Sequence, residues 1–308
     1  MKPPLMRNTE HPLSALHHAH ATNIGCATLP GTCGELFQGL LDDQPCLVSC
    51  PIDSFAIVQV IVEPGRQTWR SDQPITKTLA ALSLAASQLT LPEGGEVVVD
   101  STLPRGRGYG SSTADIGAAL YALAHAAGRS LDPADVARLA VQIEPSDSTF
   151  FSRLTLFAHR AGEWIADLGA APPLAVIVLD PGGEVDTLAY NRRITFDSLC
   201  RFSPQYRAAF AMLQAGLIES NWGWVGQAAT LSAQTHQAIR FNPLVDLALD
   251  ICKKLNGLGI CRAHSGTILG VLFDAHRSVP EAILQRVRAL TPTSVNVSHR
   301  MLVDGGLR

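Results

Sequence analysis

The stretch LPRGRGYGSSTADIGAALYALAHAAG, residues 103–128, places three glycines and two serines directly before an alanine-rich run. GEVVVDSTLP, residues 95–104, is typical of a β-strand, and the alanine-rich run is typical of an α-helix. A helix start exposes unpaired backbone N–H groups and the positive end of the helix dipole, which together attract an anion. Glycines let the backbone approach a bulky anion closely. The order strand, loop, helix therefore predicts a phosphate-binding loop.

Two other interpretations of this loop stay open at this point. One is a plain Gly/Ser turn in which a serine or threonine caps a core helix. The other is a dinucleotide fingerprint, but that pattern opens a βαβ unit and needs an acidic residue on the next strand. Here a second helix follows, with Asp132 as its predicted N-cap and Pro133 as its first residue, which disfavours a dinucleotide-dependent oxidoreductase. The chain contains no GxxxxGK[ST] pattern of the P-loop enzymes.

Composition excludes several classes of function. The chain has 46% hydrophobic and 17% charged residues among 308, which predicts a globular protein with a sizeable core. Its net charge is -3 and no basic stripe is present, so nucleic acid is not an expected partner. The sequence has no apolar run of the roughly 18 to 20 residues that a bilayer span requires and no secretory signal, so we expect a cytoplasmic protein without a membrane partner. The seven cysteines form no CxxC pair and are interpreted as reduced thiols, mostly in the core.

The order of the predicted elements favours an α+β architecture. Strands are mixed with pairs of helices, and helical patterns cover about residues 195–217, 219–237 and 242–256. CATLPG predicts a first strand, followed by a turn that carries Glu35. Residues 1–25 are predicted to be a flexible N-terminal extension. Its three clustered histidines are more often incidental than metal-binding: His17, His18 and His20.

One motif and two further segments resemble a known superfamily. PRGRGYGSSTA, residues 104–114, resembles the PxxxGLGSSAA phosphate-loop motif of the GHMP kinases, with Tyr109 in place of leucine and Thr113 in place of the first alanine. LPGTCGELFQG, residues 29–39, lies where the superfamily has its first motif, and RAHSGTILGVLF, residues 262–273, resembles a degenerate third motif. These segments, with LVSCPIDSFAIV and IEPSDSTFF, are most similar to the L-threonine kinases that serve cobalamin synthesis.

The resemblance implies a fold and a set of ligands. We expect a two-part α+β structure, with a mixed sheet in an N-terminal domain (26–180), an antiparallel sheet backed by helices in a C-terminal domain (181–308), and the active site in the cleft between them. The resemblance implies ATP and Mg²⁺ as cofactors and L-threonine as the small-molecule acceptor. It is compatible with a homodimer.

The resemblance also assigns roles to residues of this chain. Asp147 is expected to accept the proton of the acceptor hydroxyl, and Ser112 and Glu144 are expected to bind Mg²⁺. The residues expected to surround the phosphates of ATP are Pro104, Gly106, Arg107, Gly108, Tyr109, Gly110, Ser111, Ser112 and Thr113. The residues expected to contact the acceptor are Glu35, Asp53, His264, Ser265 and Gly266.

Each assignment has a competing structural interpretation. Asp147 can cap a turn, Glu35 and Asp53 can be solvated or make local turn bonds, and His264 can be a hydrogen-bonded structural histidine. The arginines beside the glycines, Arg105 and Arg107, can be solvated. Many related kinases have a lysine in the first motif where this chain has Thr32, so the route of proton transfer is open. Cys33 is not expected to be a nucleophile, because no histidine is paired with it in the sequence.

Two alternative functions follow from the same residues. Another GHMP kinase would act on homoserine or on a different small hydroxylated metabolite. A non-catalytic homologue would bind the nucleotide without turnover, although the presence of Ser112, Glu144 and Asp147 together argues against it.

Overall fold

A computed structural model describes residues 23–185, 194–277 and 280–308. The strands are β1 (Ile24–Leu41), β2 (Gln44–Val62), β3 (Trp69–Arg70), β4 (Gly95–Ser101), β5 (Leu154–Ala158), β6 (Glu163–Gly169), β7 (Leu174–Asp180), β8 (Gly259–Arg262), β9 (Leu269–Asp274) and β10 (Asn296–Met301). The helices are α1 (Thr76–Leu89), α2 (Ser111–Ala126), α3 (Pro133–Ile143), α4 (Phe196–Cys200), α5 (Ser203–Ile218), α6 (Trp222–Gln237), α7 (Leu244–Lys254) and α8 (Pro280–Leu290). Most of the predicted N-terminal extension, including its histidines, lies outside the described residues.

The described strands form one ten-stranded sheet in the order β10-β7-β9-β8-β1-β2-β4-β3, with β5 paired to β2 and β6 to β5. The pairing is antiparallel except between β3 and β4, which are parallel. The sheet is therefore mixed in its N-terminal half and antiparallel in its C-terminal half. Helices pack on it, so the expected α+β class is confirmed.

The two halves of the sheet are joined by few backbone pairs. Glu35 in β1 lies opposite Arg262 in β8, and an isolated bridge joins Ile52 to Leu302. Strand β7 lies before residue 181, yet it pairs with β9 and β10 of the C-terminal half. The division of the chain at residue 180 stays a prediction.

The prediction of a turn around Glu35 was wrong. β1 continues through LPGTCGELFQG, and Glu35 lies within it, opposite Ser49 of β2. The register shifts between Pro30 and Phe37, so bulges accommodate the Pro-Gly and Cys-Gly pairs that looked like turn signals. The bulges bend the strand beneath the phosphate loop.

The alanine-rich helix α2 is the central helix of the N-terminal half. Of its 16 residues, all except Ser112 and His125 are buried. Alanine favours helix and needs little space, so the helix can lie close against β1 and β2. A side chain on Gly117 would come within 2.4 Å of Leu29, which shows how close this contact is. The start of α2 is thereby fixed rigidly.

Strand β7 shows how the core is divided. All seven residues of LAVIVLD are buried, as expected for a strand covered on both faces. Leu174, Val176 and Val178 belong to the larger core, whereas the alternate residues Ala175, Ile177 and Leu179 belong to a second, smaller core against α7 and α8.

Two helix predictions can be checked at their ends. Asp132 is the N-cap of α3 and its carboxylate accepts a hydrogen bond from Ala134 N, with Pro133 first in the helix, as predicted. The single helix predicted over residues 195–217 is two helices, α4 and α5, because Pro204 has no N–H to continue a helix and instead occupies the first turn of α5.

Across the part of the chain that the structure describes, no helix combines the length and hydrophobicity needed to cross a membrane.

Candidate active site

A cleft of about 390 Å³ lies where the Gly/Ser loop, the first turn of α1, the β1–β2 hairpin and the segment after α3 meet. Ten of the predicted site residues line it: Glu35, Gly106, Gly108, Gly110, Ser111, Ser112, Thr113, Glu144, Asp147 and Ser265. Six do not line it: Asp53, Pro104, Arg107, Tyr109, His264 and Gly266. The fold therefore brings most of the predicted site together.

The N-terminus of α2 is open toward an anion. Its N-cap is Gly110, in the left-handed conformation with φ 64°, and no side chain caps the helix. The interpretation of the loop as a Ser/Thr-capped turn is therefore wrong. Among the described residues, the backbone N–H groups of residues 106–112 donate no hydrogen bond. A helix start with unused N–H groups facing a cleft is an anion site.

The carbonyl groups of residues 106–109 are all used by neighbouring segments. The donors, in order, are the N–H groups of Val185, Thr267, Gly34 and Thr32, at 2.7, 2.8, 3.2 and 2.8 Å. The first and third motifs of the resemblance thus contact the loop from either side. Because its carbonyl groups are held there, the loop is fixed before any ligand binds.

Two side chains of the loop do not line the cleft. Arg107 Nη1 lies 3.1 Å from Asp180 Oδ2, and the Tyr109 hydroxyl donates to the same oxygen at 3.2 Å. Burial next to Asp180 raises the pKa of Tyr109, so the phenol remains a donor. These two residues tie the loop to the end of β7.

Arg105 has a different environment and does line the cleft. Its guanidinium donates to Pro74 O at 3.0 Å and lies 3.5 Å from Asp115 Oδ2. Burial raises the pKa of Asp115 to about 6, and the Arg105 charge opposes that rise. Arg105 is half-exposed in the cleft wall, with its charge near the start of α2.

Ser112, Glu144 and Lys77 form a connected group on one wall of the cleft. The Ser112 hydroxyl donates to Glu144 Oε1, and Lys77 Nζ lies 2.6 Å from Glu144 Oε2. Glu144 is 4% exposed and follows directly after α3, while Lys77 comes from the first turn of α1. Hydroxyl and carboxylate oxygens are the ligands that Mg²⁺ prefers, usually with only one or two from the protein. These two oxygen donors therefore fit Mg²⁺. A site of the other kind, with three or more His, Cys, Asp or Glu ligands from the protein, is absent from the described residues.

Asp147 lies beside the start of α2. Its backbone N–H donates to Thr113 Oγ1 at 3.1 Å, and its Oδ1 accepts from the Ser49 hydroxyl at 3.3 Å. A Cβ on Gly110 would lie 3.0 Å from the other carboxylate oxygen, so that oxygen faces the phosphate loop. Burial and the Glu35 carboxylate raise the pKa of Asp147 to about 7, against the hydrogen bonds from Thr113 and Ser49. The carboxyl group is thus poised to hold or release a proton near neutral pH.

Glu35 is held from behind by His264. Glu35 Oε2 accepts from His264 N at 3.0 Å and lies 2.6 Å from His264 Nδ1. His264 itself is fully buried and packs against the His236 ring at 4.5 Å. The competing interpretation of His264 as a structural histidine agrees with this position. Glu35, in contrast, reaches the cleft.

Two other predicted acceptor residues lie apart from the cleft. Asp53 is exposed, and its carboxylate accepts from Met301 N at 2.8 Å. Gly266 packs against the loop backbone, because a Cβ there would lie 2.5 Å from Gly108 Cα.

Sequence reasoning assigned no role to several cleft or loop residues, among them Gln38, Lys77, His159 and Asp180. Lys77, His159 and Asp180 lie outside the motifs, so only the fold reveals them. Gln38 lies within the first motif, but nothing in the sequence marked its side chain as a cleft residue. A single lysine at the start of a predicted helix was the sole signal available for Lys77.

Comparisons with known proteins place these features in context. The model of the GHMP kinases N terminal domain matches residues 75–153, and that of the GHMP kinases C terminal matches residues 213–292. An L-threonine kinase of Salmonella typhimurium (strain LT2) is 34% identical over 257 residues, which are 83% of this chain and 85% of that protein. An L-threonine kinase of Citrobacter freundii is 33% identical over 256 residues, 82% and 88% of the two chains. The solved homoserine kinase from Cytophaga hutchinsonii has a TM-score of 0.72 at 15% identity, covering 95% of this chain and 99% of that chain, a likeness of fold alone.

Proposed function

The chain belongs to the GHMP kinases, phosphotransferases with an alcohol group as acceptor, and we propose that it transfers the γ-phosphoryl group of ATP to the side-chain hydroxyl of L-threonine. The observation that carries this proposal is the 34% identity to an L-threonine kinase over 85% of that protein's length. Homoserine, or another small hydroxylated metabolite, is the alternative acceptor.

The residues around the loop have the properties that phosphoryl transfer requires. Catalysis of this reaction depends mainly on positioning the reactants and on stabilising charge. The unused N–H groups at the start of α2 bind phosphate oxygens of ATP, and Lys77 and Arg105 bring positive charge to the same wall of the cleft. The fixed loop carbonyl groups keep these donors in place.

Asp147 is the proposed base. Its Oδ2 faces the phosphate loop, so an acceptor hydroxyl that lies between the two can pass its proton to the carboxylate. The acceptor oxygen forms a bond to the γ-phosphorus, and the bond from that phosphorus to the β–γ bridging oxygen breaks. ADP leaves with the bridging oxygen, and Asp147 holds the proton.

Ser112 and Glu144 would hold Mg²⁺ through their hydroxyl and carboxylate oxygens. When bound, Mg²⁺ neutralises the negative charge of the phosphates. Lys77 contacts the same carboxylate and keeps it fixed in position.

Glu35 is the proposed site for the acceptor's ammonium group. Its Oε2 is held by His264, so its carboxylate presents a fixed negative charge to the cleft. Glu35 also contributes to the raised pKa of Asp147, which places the two carboxylates within electrostatic range of each other. An amino acid with its hydroxyl at Asp147 can therefore place its ammonium group at Glu35.

We further propose that the product, L-threonine O-3-phosphate, provides the aminopropanol phosphate of cobalamin. The proposal rests on the similarity of this chain to L-threonine kinases as a class. Restoration of cobalamin-dependent growth in a bacterial strain that lacks its own L-threonine kinase tests it.

ADP release by the purified protein tests the proposed reaction. ATP and Mg²⁺ are supplied with L-threonine, L-serine, L-homoserine, mevalonate or galactose, and Asp147→Ala is compared with Asp72→Ala, which removes an exposed carboxylate outside the cleft. We expect turnover chiefly with L-threonine, lost in Asp147→Ala and kept in Asp72→Ala. Faster turnover with another acceptor would show that L-threonine is not the substrate. ATP binding without turnover on any acceptor would favour a non-catalytic protein.

A further inference from the structure

His159 is a buried histidine of the cleft without a described role. It follows directly after β5, is 4% exposed, and lines the cleft. Its backbone carbonyl accepts from Ser146 N at 3.1 Å, which places the residue next to the segment that carries Asp147. It is therefore part of the cleft wall and not of the surrounding core.

Both ring nitrogens of His159 lack a hydrogen-bond partner among the described residues. Burial lowers its pKa to about 3, so the ring is neutral and has one N–H donor and one acceptor nitrogen. A buried polar group without a partner destabilises the folded state. The other buried histidine next to the site, His264, has its Nδ1 engaged by Glu35. Unpaired nitrogens on a buried residue of the cleft wall point to a ligand that pairs with them.

Strand pairing places His159 toward one end of the cleft, because Leu47 of β2 lies opposite Phe157, two residues before His159. Gln38 and Leu47 are opposite each other in the β1–β2 pairing, and Glu35 and Ser49 are opposite each other further along the same hairpin. Ser49 contacts Asp147, so Glu35 lies at the Asp147 end, whereas Gln38 and Leu47 lie farther along the strands. Along the hairpin, the acceptor side of the cleft therefore carries a fixed carboxylate, Glu35, near Asp147, and farther along two neutral side chains that can donate, Gln38 and His159.

We propose that His159 donates a hydrogen bond to the carboxylate of an amino-acid acceptor, and thereby selects amino acids over simple amino alcohols. This inference rests on the proposed function. An amino acid bound with its hydroxyl at Asp147 and its ammonium at Glu35 has its carboxylate left to bind. A neutral N–H donor suits that carboxylate, whereas a second acidic side chain would repel it.

Binding of L-threonine and of 1-amino-2-propanol, which lacks the carboxylate, separates this role from a structural one. Calorimetry in the presence of Mg²⁺ and a non-hydrolysable ATP analogue is carried out on the wild type, His159→Phe and His159→Gln. We expect His159→Phe to weaken L-threonine binding about 10- to 100-fold, because a hydrogen bond to a charged group is lost. Binding of 1-amino-2-propanol should change less than about twofold. His159→Gln retains an N–H donor and should restore part of the affinity.

Controls identify a folding defect. His125→Phe removes an exposed imidazole at the end of α2 and should change neither affinity. His159→Phe should melt at the same or a higher temperature than the wild type, because it removes unpaired buried nitrogens. Equal L-threonine affinity in the wild type and His159→Phe, or equal loss of both ligands, would overturn the role of His159 and leave the proposed function standing. Absence of L-threonine binding to the wild type would overturn both.

Discussion

Asp147 occupies a position where its charged form opposes folding. Its pKa of about 7 in the folded protein is above the value of about 3.9 for an unfolded aspartate. The folded state therefore binds more protons between these values, so the contribution of Asp147 to stability is fully present below about pH 4 and is lost as the pH rises through about 7. Catalysis nevertheless requires the deprotonated form, which makes this residue a point where stability and activity conflict.

Asp147→Asn should therefore stabilise the protein at high pH and abolish turnover. At pH 8 we expect the free energy of unfolding to rise by about 2 kcal/mol. Each tenfold change in the acid dissociation constant of Asp147 corresponds to about 1.4 kcal/mol, and the position of the carboxylate beside the cleft lowers the cost of its charge. At about pH 3.5, below the pKa of an unfolded aspartate, the gain should nearly vanish. Denaturant titrations at both pH values measure it, with Asp72→Asn as the control for loss of a surface charge. A gain that does not depend on pH would contradict the assigned cause.

Lys77 should contribute most to the free energy of unfolding when no cation is bound at Glu144. Its ammonium lies 2.6 Å from the buried Glu144 carboxylate, which otherwise contacts Ser112 in the described structure. Lys77→Met should lower the free energy of unfolding by about 1–2 kcal/mol, a value reduced because Lys77 is itself 43% exposed. Mg²⁺ with ATP should reduce the difference in the free energy of unfolding between Lys77→Met and the wild type, because a divalent cation replaces the missing positive charge of Lys77.

Melting temperatures with and without Mg²⁺ and ATP measure this effect. Lys254→Met is the matched control, because Lys254 lies 2.6 Å from Asp250 in a pair that is exposed on both sides. A loss no larger than that of Lys254→Met, or one that Mg²⁺ does not reduce, would refute the coupling between Lys77 and the metal position.

At the scale of one element, the loop before α2 depends on Gly108. Its φ is 98°, and a Cβ there would lie 2.2 Å from Ala263 Cβ, on the segment after β8. The conformation disfavours any side chain, and the contact leaves no room for one. Gly108 thus holds the loop against the third motif.

Gly108→Ala should destabilise the protein by more than the conformational cost alone. Gly65→Ala isolates that cost, because Gly65 has φ 82° and nothing within 4 Å of its Cβ position, so we expect a loss of about 1–2 kcal/mol there. Gly108→Ala should lose more and should also weaken ATP binding at least about tenfold, as the loop shifts. Unfolding and nucleotide titrations of both variants provide the comparison. Equal losses would show that Ala263 moves aside easily.

The sequence was sufficient to predict those secondary-structure elements whose pattern lies within a few neighbouring residues. The strand, loop and helix around residues 95–126, and the start of α3 at Asp132, follow from glycine, alanine and capping patterns within a few residues. Glu35 was misplaced in a turn, because Pro-Gly and Cys-Gly look like breaks unless a partner strand is known to continue beside them. Bulges are a property of the pair of strands and are not visible in one of them.

The missed site residues share a physical reason. Lys77 meets Glu144, and Asp180 meets Arg107, across more than sixty residues of chain. Such pairs depend on how helices and strands pack, and their residue types are ordinary on any protein surface. His159 is recognisable only after the fold has buried it and left its nitrogens without partners.

At the scale of the whole molecule, the two halves share one large core. Phe37 of β1, Val178 of β7 and Leu302 near the C-terminus all belong to the same buried cluster. Strand β7 also contributes its other face to the smaller core. A core that spans both halves couples their unfolding, even though few backbone pairs join the two parts of the sheet.

We therefore expect the full chain to unfold in one cooperative transition. A fragment ending at residue 180 should fail to fold, because β7 would lose both of its neighbouring strands, β9 and β10, and would expose the apolar face that packs against α7 and α8. Differential scanning calorimetry of the full chain and circular dichroism of the fragment measure these outcomes. The van't Hoff and calorimetric enthalpies of the full chain should agree within error. Two separate calorimetric transitions, or a fragment that melts cooperatively, would show that the halves are independent domains. The shared core would then contribute less to folding than the cores of the separate halves.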